Sequence, residues 1–330
     1  MHAQKTDPSI RSIRSIRSIR SIRSLRSGFT LVEIMVVVVI IGILAAILVP
    51  VLGNISRKAK EAAVKVEISS LESAIADFRT KFGHEPPSHI ELYEQKDQWL
   101  SDRAAMGKIS SIWPRFFFAV NRDLDGDGNF GETDPDNDNE PGLHLSGAEC
   151  LVFFLGGIAN FDNAGNAYMT GFANNPADPF GRQQTTAESR VGPFFDFVSA
   201  RLVDVDNFPA GAGDRMPEYI DSLTNQTAPY LYLSSREGRG YDIKACYVYN
   251  PPTSNNLKNP VRGYAQNAVQ AWKPKGFQII SPGFGPHENL QGVYRPYGIG
   301  GIYNPNNTEV LTPQDGDNIA NFAAGGRLNP

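Results

Sequence analysis

The residues from Gly28 to Leu52, GFTLVEIMVVVVIIGILAAILVPVL, constrain the fold of this chain more than any other stretch. From Ile34 to Leu52 every residue is apolar or small, with Gly42 and Pro50 as the main interruptions. A helix needs about 20 such residues to cross the hydrocarbon core of a membrane, so the run is long enough to span. Glu33 stands at the start of the run, where burying a charge costs roughly 2.5–3.5 kcal/mol and so calls for a partner.

A secretory signal peptide is the alternative interpretation of this stretch. The apolar region of a signal peptide has about 7–15 residues and is followed by an A-x-A-like cleavage site. The run here is longer, and Ala45-Ala46-Ile47 does not fit that cleavage pattern. A signal peptide would also leave Glu33 without a role. We therefore favour a helix that remains in the mature protein.

The residues around Gly28 carry a specific processing motif. Gly28 is followed by Phe29-Thr30-Leu31-Val32-Glu33, with basic residues before it and the apolar run after it. This arrangement resembles the type III signal of type IV pilins and pseudopilins. The resemblance implies that a prepilin peptidase cleaves after Gly28 and methylates the new amine of Phe29. It also implies that Glu33 pairs with the terminal amine of a neighbouring subunit, and that Pro50 bends the helix.

Charge is distributed unevenly along the chain. The 330 residues hold 31 Lys and Arg against 35 Asp and Glu, a net charge of −4. Residues 1–28 hold seven basic residues and one acid, so the other 302 hold 24 basic and 34 acidic residues, a net charge of −10. Basic residues beside a membrane span stay cytoplasmic, which predicts a single-pass inner-membrane protein with a periplasmic or extracellular head. The acidic head disfavours nucleic acid as a partner, because Lys and Arg drive phosphate binding.

Residues 1–28 are predicted to be a basic leader that is removed by the cleavage after Gly28. Within it, residues 9–26 repeat Ser-Ile-Arg five times and Ser-Leu-Arg once. A three-residue period fits neither a helix nor a strand. Residues 29–52 then form the transmembrane and assembly helix.

The chain continues as an amphipathic helix over residues 53–82. Apolar residues recur there at three- and four-residue steps, which is typical of a helix with one buried stripe. The predicted stripe comprises Ile55, Ala59, Ala62, Val66, Ala74 or Ile75, Phe78 and Phe82. Gly83 and Pro86-Pro87 end the helix, so a helix from Phe29 to Phe82 would be about 80 Å long. The stretch from Phe82 to Pro87 resembles the end of this helix in major pseudopilins.

Residues 83–330 are predicted to form an α+β head, long enough for one hydrophobic core. Its predicted helices are Ser146–Leu155 and Pro193–Val203, and its predicted strands are Tyr230–Leu233, Ala245–Tyr249 and Phe277–Ser281. We expect the strands to form a small antiparallel sheet against the long helix. The connections at 121–142, 171–192 and 282–318 are loop-like. The resemblance implies a pilin-like fold, and the sequence adds long loops to it.

An acidic stretch in the head has the spacing of a calcium-binding loop. Counted from Asp123, acids occupy positions 1, 3 and 5, Gly occupies position 6, and Asp134 occupies position 12. Alternate side chains of such a loop converge on one ion while the Gly permits a sharp turn. The loop resembles the dockerin type, which accepts Asp at position 12. The predicted ligands are Asp123, Asp125, Asp127, Asn129 and Asp134; the alternative is a solvated acidic loop.

Two further features of the head are open at the level of the sequence. Ser281-Pro282-Gly283 and Asp315-Gly316-Asp317-Asn318-Ile319 resemble the end of major pseudopilins, where a C-terminal loop holds calcium, although Phe284-Gly285-Pro286-His287 follows the Ser strand in place of the usual Asp-Gly. A simple Asx turn is the alternative there. Cys150 and Cys246 are the two cysteines. They form either one disulfide in an oxidising compartment or two buried thiols.

Enzyme motifs fail on inspection. His84-Glu85-Pro86-Pro87-Ser88-His89 places its second His one residue too late for HExxH, and its prolines prevent the helix that this motif needs. No G-x-S-x-G occurs, and Gly298-Ile299-Gly300-Gly301 lacks the Lys of a phosphate loop. We therefore expect a structural protein without catalytic activity.

The resemblance implies a subunit of a type II secretion pseudopilus that polymerises through its N-terminal helix. Its partners would be identical or homologous pilin subunits, the prepilin peptidase, an inner-membrane assembly platform and membrane lipid. Calcium would order the acidic loop. The alternatives are a type IV pilus subunit and a minor pilin whose loops bind a surface.

Overall fold

The computed structural model describes residues 30–129, 142–185, 188–204, 214–223, 228–241, 247–249, 258–260, 265–267, 270–284 and 318–322. For the helical residues 48–54 and the strand residues 247–249, 258–260, 265–267 and 270 it describes the backbone without the side chains. The chain divides into two compact units, Met1–Asn54 and Ile55–Pro330. The predicted site residues that lie outside the described part are Gly28, Phe29, Asp134, Cys246 and Asp317.

The described part of the chain contains helices and many short strands. The helices are α1 Leu31–Phe82, α2 Lys96–Ser101, α3 Arg103–Ile112, α4 Gly147–Gly156 and a 3-10 helix, Ser199–Arg201. The strands are β1 Ile90–Leu92, β2 Leu143–Leu145, β3 Ala159–Phe161, β4 Ala167–Met169, β5 Phe172–Ala173, β6 Arg190–Val191, β7 Leu202–Val203, β8 Glu218–Tyr219, β9 Leu231–Ser234, β10 Tyr247–Tyr249, β11 Lys258–Pro260, β12 Ala265–Asn267, β13 Gln270–Ala271, β14 Phe277–Ser281 and β15 Ile319–Ala320.

The strands pair as small antiparallel sheets. β9, β14 and β15 form a three-stranded sheet with β14 in the centre, and the other strands form two-stranded pairs. The predicted strand Phe277–Ser281 has the bounds of β14, and Tyr230–Leu233 is displaced by one residue from β9. An N-terminal helix packed with small antiparallel sheets confirms the α+β class.

The helix α1 is 52 residues long and begins with a capping box. The backbone N–H of Glu33 donates to Thr30 Oγ1 at 3.2 Å, and the N–H of Thr30 donates to Glu33 Oε2 at 2.8 Å. These bonds satisfy two of the free N–H groups of a helix N-terminus. The helix continues through Pro50 and ends at Phe82, as predicted, where Gly83 has a φ of 84°. Among the described residues, no helix has both the length and the apolar character needed to cross a membrane.

The buried stripe in the second half of α1 agrees with the predicted one at Ala74, Ile75 and Phe78, and at Phe82, which packs against the core, but differs from it before Ala74. The buried side chains are Val64, Ile68, Leu71, Ala74, Ile75 and Phe78, whereas Ile55 and Val66 are exposed, Val66 by 67%. Ala59 and Ala62 are exposed as well. The predicted residues from Ile55 to Val66 have the right spacing but the wrong phase. The stripe actually buried carries larger aliphatic side chains, which gain more from burial than alanine does.

The predicted helix Pro193–Val203 is wrong. Only Ser199–Arg201 is helical, and it is a 3-10 turn followed by β7. The backbone N–H of Phe194 donates to the Leu155 carbonyl at the end of α4, which fixes this segment against α4 instead of in a helix of its own. Phe195 and Phe197 then contact each other edge to face, with ring centroids 4.7 Å apart and ring planes at 61°.

A core of apolar side chains joins the second half of α1 to the other elements of its unit. It includes residues from α3, α4, β1, β2 and the three-stranded sheet. The predicted helix Ser146–Leu155 is confirmed as α4, which is buried along its whole length. Aromatic rings connect the elements. The ring centroids of Phe78 in α1 and Phe154 in α4 are 5.7 Å apart, and those of Phe82 and Trp113 are 5.3 Å apart.

Candidate functional site

The first half of α1 exposes its apolar side chains on all sides. Every large apolar side chain from Leu31 to Ile47 is between 48% and 76% exposed. A helix that is apolar all round is one that a membrane or other protein surrounds. An exposed apolar surface of this length marks a contact with lipid or with another protein.

Glu33 is the acid within this apolar surface. Its Oε2 accepts hydrogen bonds from the backbone N–H of Thr30 at 2.8 Å and from Thr30 Oγ1 at 2.9 Å. The carboxylate therefore lies at the N-terminal end of α1, where the helix dipole favours negative charge. It lies on the exposed part of the helix, four positions along the sequence from Phe29.

The acidic stretch around Asp123 is a series of Asx turns. The oxygen Oδ1 of Asp123 accepts from the N–H of Gly126 at 2.6 Å, and Oδ1 of Asp125 accepts from the N–H of Asp127 at 2.9 Å. The Gly at position 6 of the loop, Gly128, has a φ of 85°, a conformation that favours glycine. The sharp turn predicted for this position is therefore present.

A third carboxylate, from another part of the chain, reaches this loop. Glu94 follows β1, and its Oε1 accepts from the N–H of Leu124 at 2.5 Å and from the N–H of Asp125 at 3.3 Å. One oxygen each of Glu94, Asp123 and Asp125 can be chosen so that all three lie within 4.8 Å of one another. This group, which we name the carboxylate cluster, has the donor atoms of a hard-cation site.

Burial dominates the electrostatics of the carboxylate cluster. It raises the pKa of Glu94 to about 7 and that of Asp125 to about 6, because an ionised carboxylate loses hydration there. Burial also lowers the pKa of Arg182, whose Nε lies 3.9 Å from Asp123 Oδ1. Arg182 Nη2 donates to the carbonyl of Leu124 at 3.2 Å, so this guanidinium lies beside the loop.

Comparison with known proteins identifies a processing signal near the N-terminus. Residues 23–49 match the family model of the prokaryotic N-terminal methylation motif. The chain carries a type IV pilin-like prepilin signal. No curated protein and no solved structure matches the chain.

The prepilin signal covers Gly28, Phe29 and Glu33, and its match ends one residue before Pro50. It supports processing by a prepilin peptidase and assembly as a pilin-like subunit. Of these residues, the structure describes the side chain of Glu33 alone and the backbone of Pro50 within α1.

The predicted metal ligands divide into two groups. Asp123 and Asp125 lie together in the carboxylate cluster. Asp127 bonds instead to Asn129, through Oδ1 to its N–H at 2.6 Å and through Oδ2 to its Nδ2 at 2.7 Å. The prediction of calcium at this loop stays a prediction.

The structure describes one of the two cysteines, Cys150. The thiol of Cys150 is buried in α4, with Sγ 3.6 Å from the Leu145 carbonyl, and a disulfide with Cys246 stays a prediction.

Glu94 is not among the ligands predicted from the sequence, because no calcium-loop spacing includes it. Glu94 reaches the loop through the two bonds that its Oε1 accepts from Leu124 and Asp125, and no local pattern of the sequence indicates such a contact.

Proposed function

We propose that the chain is a structural subunit of a type II secretion pseudopilus. After cleavage behind Gly28 and methylation of Phe29, it polymerises through the first half of α1. The observation that carries this proposal is the exposed apolar surface from Leu31 to Ile47, which lies inside a prepilin signal. The proposal gives the protein a structural role and no catalytic one.

The apolar surface has two successive environments in this proposal. Before assembly the residues 29–52 lie in the inner membrane, with the basic leader in the cytoplasm and the acidic head in the periplasm. During assembly, at the inner-membrane platform, the same residues leave lipid and pack against the helices of other subunits. Both environments bury the apolar side chains that α1 exposes in a single chain.

Glu33 sets the register between neighbouring subunits in the proposed filament. Its carboxylate accepts the methylated amine of Phe29 from an adjacent copy. An unpaired charge in such an apolar environment is costly, so only an arrangement that brings the amine and the carboxylate together is stable. Thr30 already orients Glu33 Oε2 at the start of the helix.

The processing step is tested by mass spectrometry of the N-terminus of the membrane-extracted protein. We expect N-methylated Phe29 as the first residue. Gly28→Leu should block cleavage, because a bulky side chain would then precede the cleaved bond, while Ser27→Ala should be cleaved normally. A wild-type protein that still begins at Met1 and retains its repeat would contradict the proposal.

The type of filament is tested by deletion of the coding sequence. Loss of secreted enzymes with intact motility would support a secretion pseudopilus, and the reverse would support a type IV pilus. The length of the head, residues 83–330, favours a minor or surface-binding pilin as the second candidate. In that case the loops at 171–192 and 282–318 would bind a surface, which glycan arrays with the purified protein would detect.

A further inference from the structure

The carboxylate cluster joins two segments that are distant in the sequence. Glu94 lies about 30 positions before Leu124 and Asp125, yet its Oε1 accepts both of their backbone N–H groups. The carbonyl of Glu94 accepts the N–H of Arg122 at 2.8 Å. The backbone after β1 and the start of the acidic loop are therefore fixed side by side.

One oxygen of the cluster has no hydrogen-bond donor in the described part of the chain. Glu94 is 5% exposed, and its Oε2 is buried with no partner there. A buried carboxylate oxygen without a donor costs free energy that a positive charge can offset. This oxygen belongs to the same carboxylate that approaches Asp123 and Asp125.

The nearby arginines do not remove the excess of negative charge. Arg182 interacts electrostatically with Asp123, Asp125 and Glu94, and Arg215 interacts with Asp125 and Asp127. When ionised, four carboxylates face these two guanidinium groups, which leaves two negative charges. The hydrogen bonds of Arg182 go to Leu124 and Ala159 carbonyls and to Asn160, not to Glu94. A divalent cation would neutralise the remaining charge.

We propose that Glu94, Asp123 and Asp125 are carboxylate ligands of a calcium ion that ties the acidic loop to β1. Calcium accepts six to eight oxygen ligands in flexible geometry, so water or backbone carbonyls can complete the shell. Asp127 and Asn129, which bond to each other, are not part of this ligand set. The site thus differs from a linear calcium loop, whose ligands all come from one stretch. It is independent of the proposed filament function.

Calcium at this site would stabilise the connection between β1 and β2. These strands pair from Ile90 opposite Leu145 to Leu92 opposite Leu143. The chain between them includes α2, α3 and the acidic loop. A ligand that binds only the folded state stabilises that state by mass action. Calcium is therefore expected to raise the midpoint of thermal unfolding of the whole protein.

The test is calorimetric titration of the full-length protein in detergent after its metal has been removed with EDTA. We expect one Ca²⁺ per chain, with a dissociation constant below about 1 mM, the weak limit of extracellular calcium modules. Glu94→Gln should weaken binding at least tenfold. It keeps an oxygen that can accept from Leu124 but removes the charge. Asp125→Asn should have a similar effect.

Asp162→Asn is the matched control. Asp162 forms the same kind of exposed turn as Asp127, since its carboxylate accepts from the N–H and from Nδ2 of Asn166. This variant should bind Ca²⁺ like the wild type. Calcium binding by Glu94→Gln at wild-type affinity would overturn the proposal, as would no binding by the wild type up to about 1 mM. Tighter binding of Mg²⁺ than of Ca²⁺ would overturn the assignment of the metal.

A measurement on the wild type covers the case in which Glu94→Gln does not fold. Amide hydrogen exchange at Leu124 and Asp125 reports the two bonds that Glu94 Oε1 accepts. Calcium at the proposed site should slow exchange at both amides at least tenfold. If Ca²⁺ binds while exchange at these amides is unchanged, the ion lies elsewhere and Glu94 is not a ligand.

Discussion

Arg201 forms a two-pronged ion pair with Glu67 of α1. Its Nη1 donates to Glu67 Oε1 at 2.7 Å and its Nη2 to Oε2 at 2.6 Å. The hydroxyl of Tyr230 also donates to Oε2, at 2.6 Å, and that of Tyr219 donates to Oε1 at 3.2 Å. One carboxylate of α1 thus holds three side chains from the segment between the 3-10 helix and β9.

Glu67→Gln should destabilise the folded protein by about 1.5–3 kcal/mol, the usual contribution of hydrogen bonds to charged groups. The amide keeps one acceptor oxygen but cannot accept both prongs of Arg201. Urea unfolding of the full-length protein measures the change. Asp77→Asn, on an exposed position of the same helix, should change stability by less than about 0.5 kcal/mol.

The coupling between the two residues can be measured directly. In a double-mutant cycle, Arg201→Met should cost much less in the Glu67→Gln background than in the wild type. Equal costs in both backgrounds would show that the ion pair contributes nothing to stability.

Leu71→Ala should destabilise the protein by about 2–5 kcal/mol, because Leu71 is fully buried in the core stripe of α1. Val66→Ala should change stability by less than about 0.5 kcal/mol, because this side chain faces solvent. Urea unfolding of both variants shows which of the two sets of side chains, the one with Leu71 or the one with Val66, forms the buried stripe of α1. A larger effect for Val66 would support the stripe predicted from the sequence.

The helix α1 shows what local sequence determines and what it leaves open. The apolar run, Gly83 and the prolines after it give the helix and its end, because these effects act within a few residues. The phase of the buried stripe depends on which elements pack against it. Ala59 and Ala62 fit the helical period as well as Val64 and Ile68 do, so periodicity alone predicts the wrong face before Ala74 and the right one from Ala74 to Phe82.

The same distinction applies to the candidate metal site. The spacing of Asp123 and Asp125 is visible in one stretch of sequence, and the structure places their carboxylates together. Glu94 joins them through a contact between distant segments, because its Oε1 accepts from the backbone N–H groups of Leu124 and Asp125. The helix predicted from Pro193 is wrong for a similar reason, because the bond from the N–H of Phe194 to the Leu155 carbonyl is a tertiary contact. Contacts between distant segments leave no local pattern.

Glu149→Gln should stabilise the protein increasingly as the pH rises. Burial raises the pKa of Glu149 well above its ordinary value of 4.5, and the neighbouring carboxylates Glu218 and Asp204 add to the shift. Above about pH 4.5 the unfolded chain ionises at this residue while the folded chain keeps its proton, so the wild type loses stability as the pH rises. Below that pH the residue is protonated in both states and its pKa shift contributes no pH dependence.

The measurement is urea unfolding of the wild type and of Glu149→Gln at about pH 4 and about pH 7. The difference between the two proteins should be larger at the higher pH. Gln can still accept the bond from the N–H of Ser146 that completes the cap of α4, so the helix start is preserved. A difference that does not depend on pH would show that Glu149 titrates normally in the folded protein.

Glu33→Val should leave the protein inserted in the membrane and cleaved after Gly28, yet unable to assemble. In the proposed filament the substitution leaves the amine of Phe29 from the neighbouring subunit without its carboxylate. Breaking a buried ion pair in this way costs about 3–5 kcal/mol. At each subunit contact this corresponds to a loss of association of about 100-fold or more.

The amount of sedimenting filament, measured by immunoblot against total processed protein, checks this prediction. Thr30→Ala is the matched control: it removes the hydroxyl that donates to Glu33 Oε2 and accepts from the N–H of Glu33, but it keeps the carboxylate and the bond that the N–H of residue 30 donates to it. It should still assemble. Filaments formed at the wild-type level by Glu33→Val would contradict the charge pairing, because the apolar surface from Leu31 to Ile47 would then be sufficient for assembly.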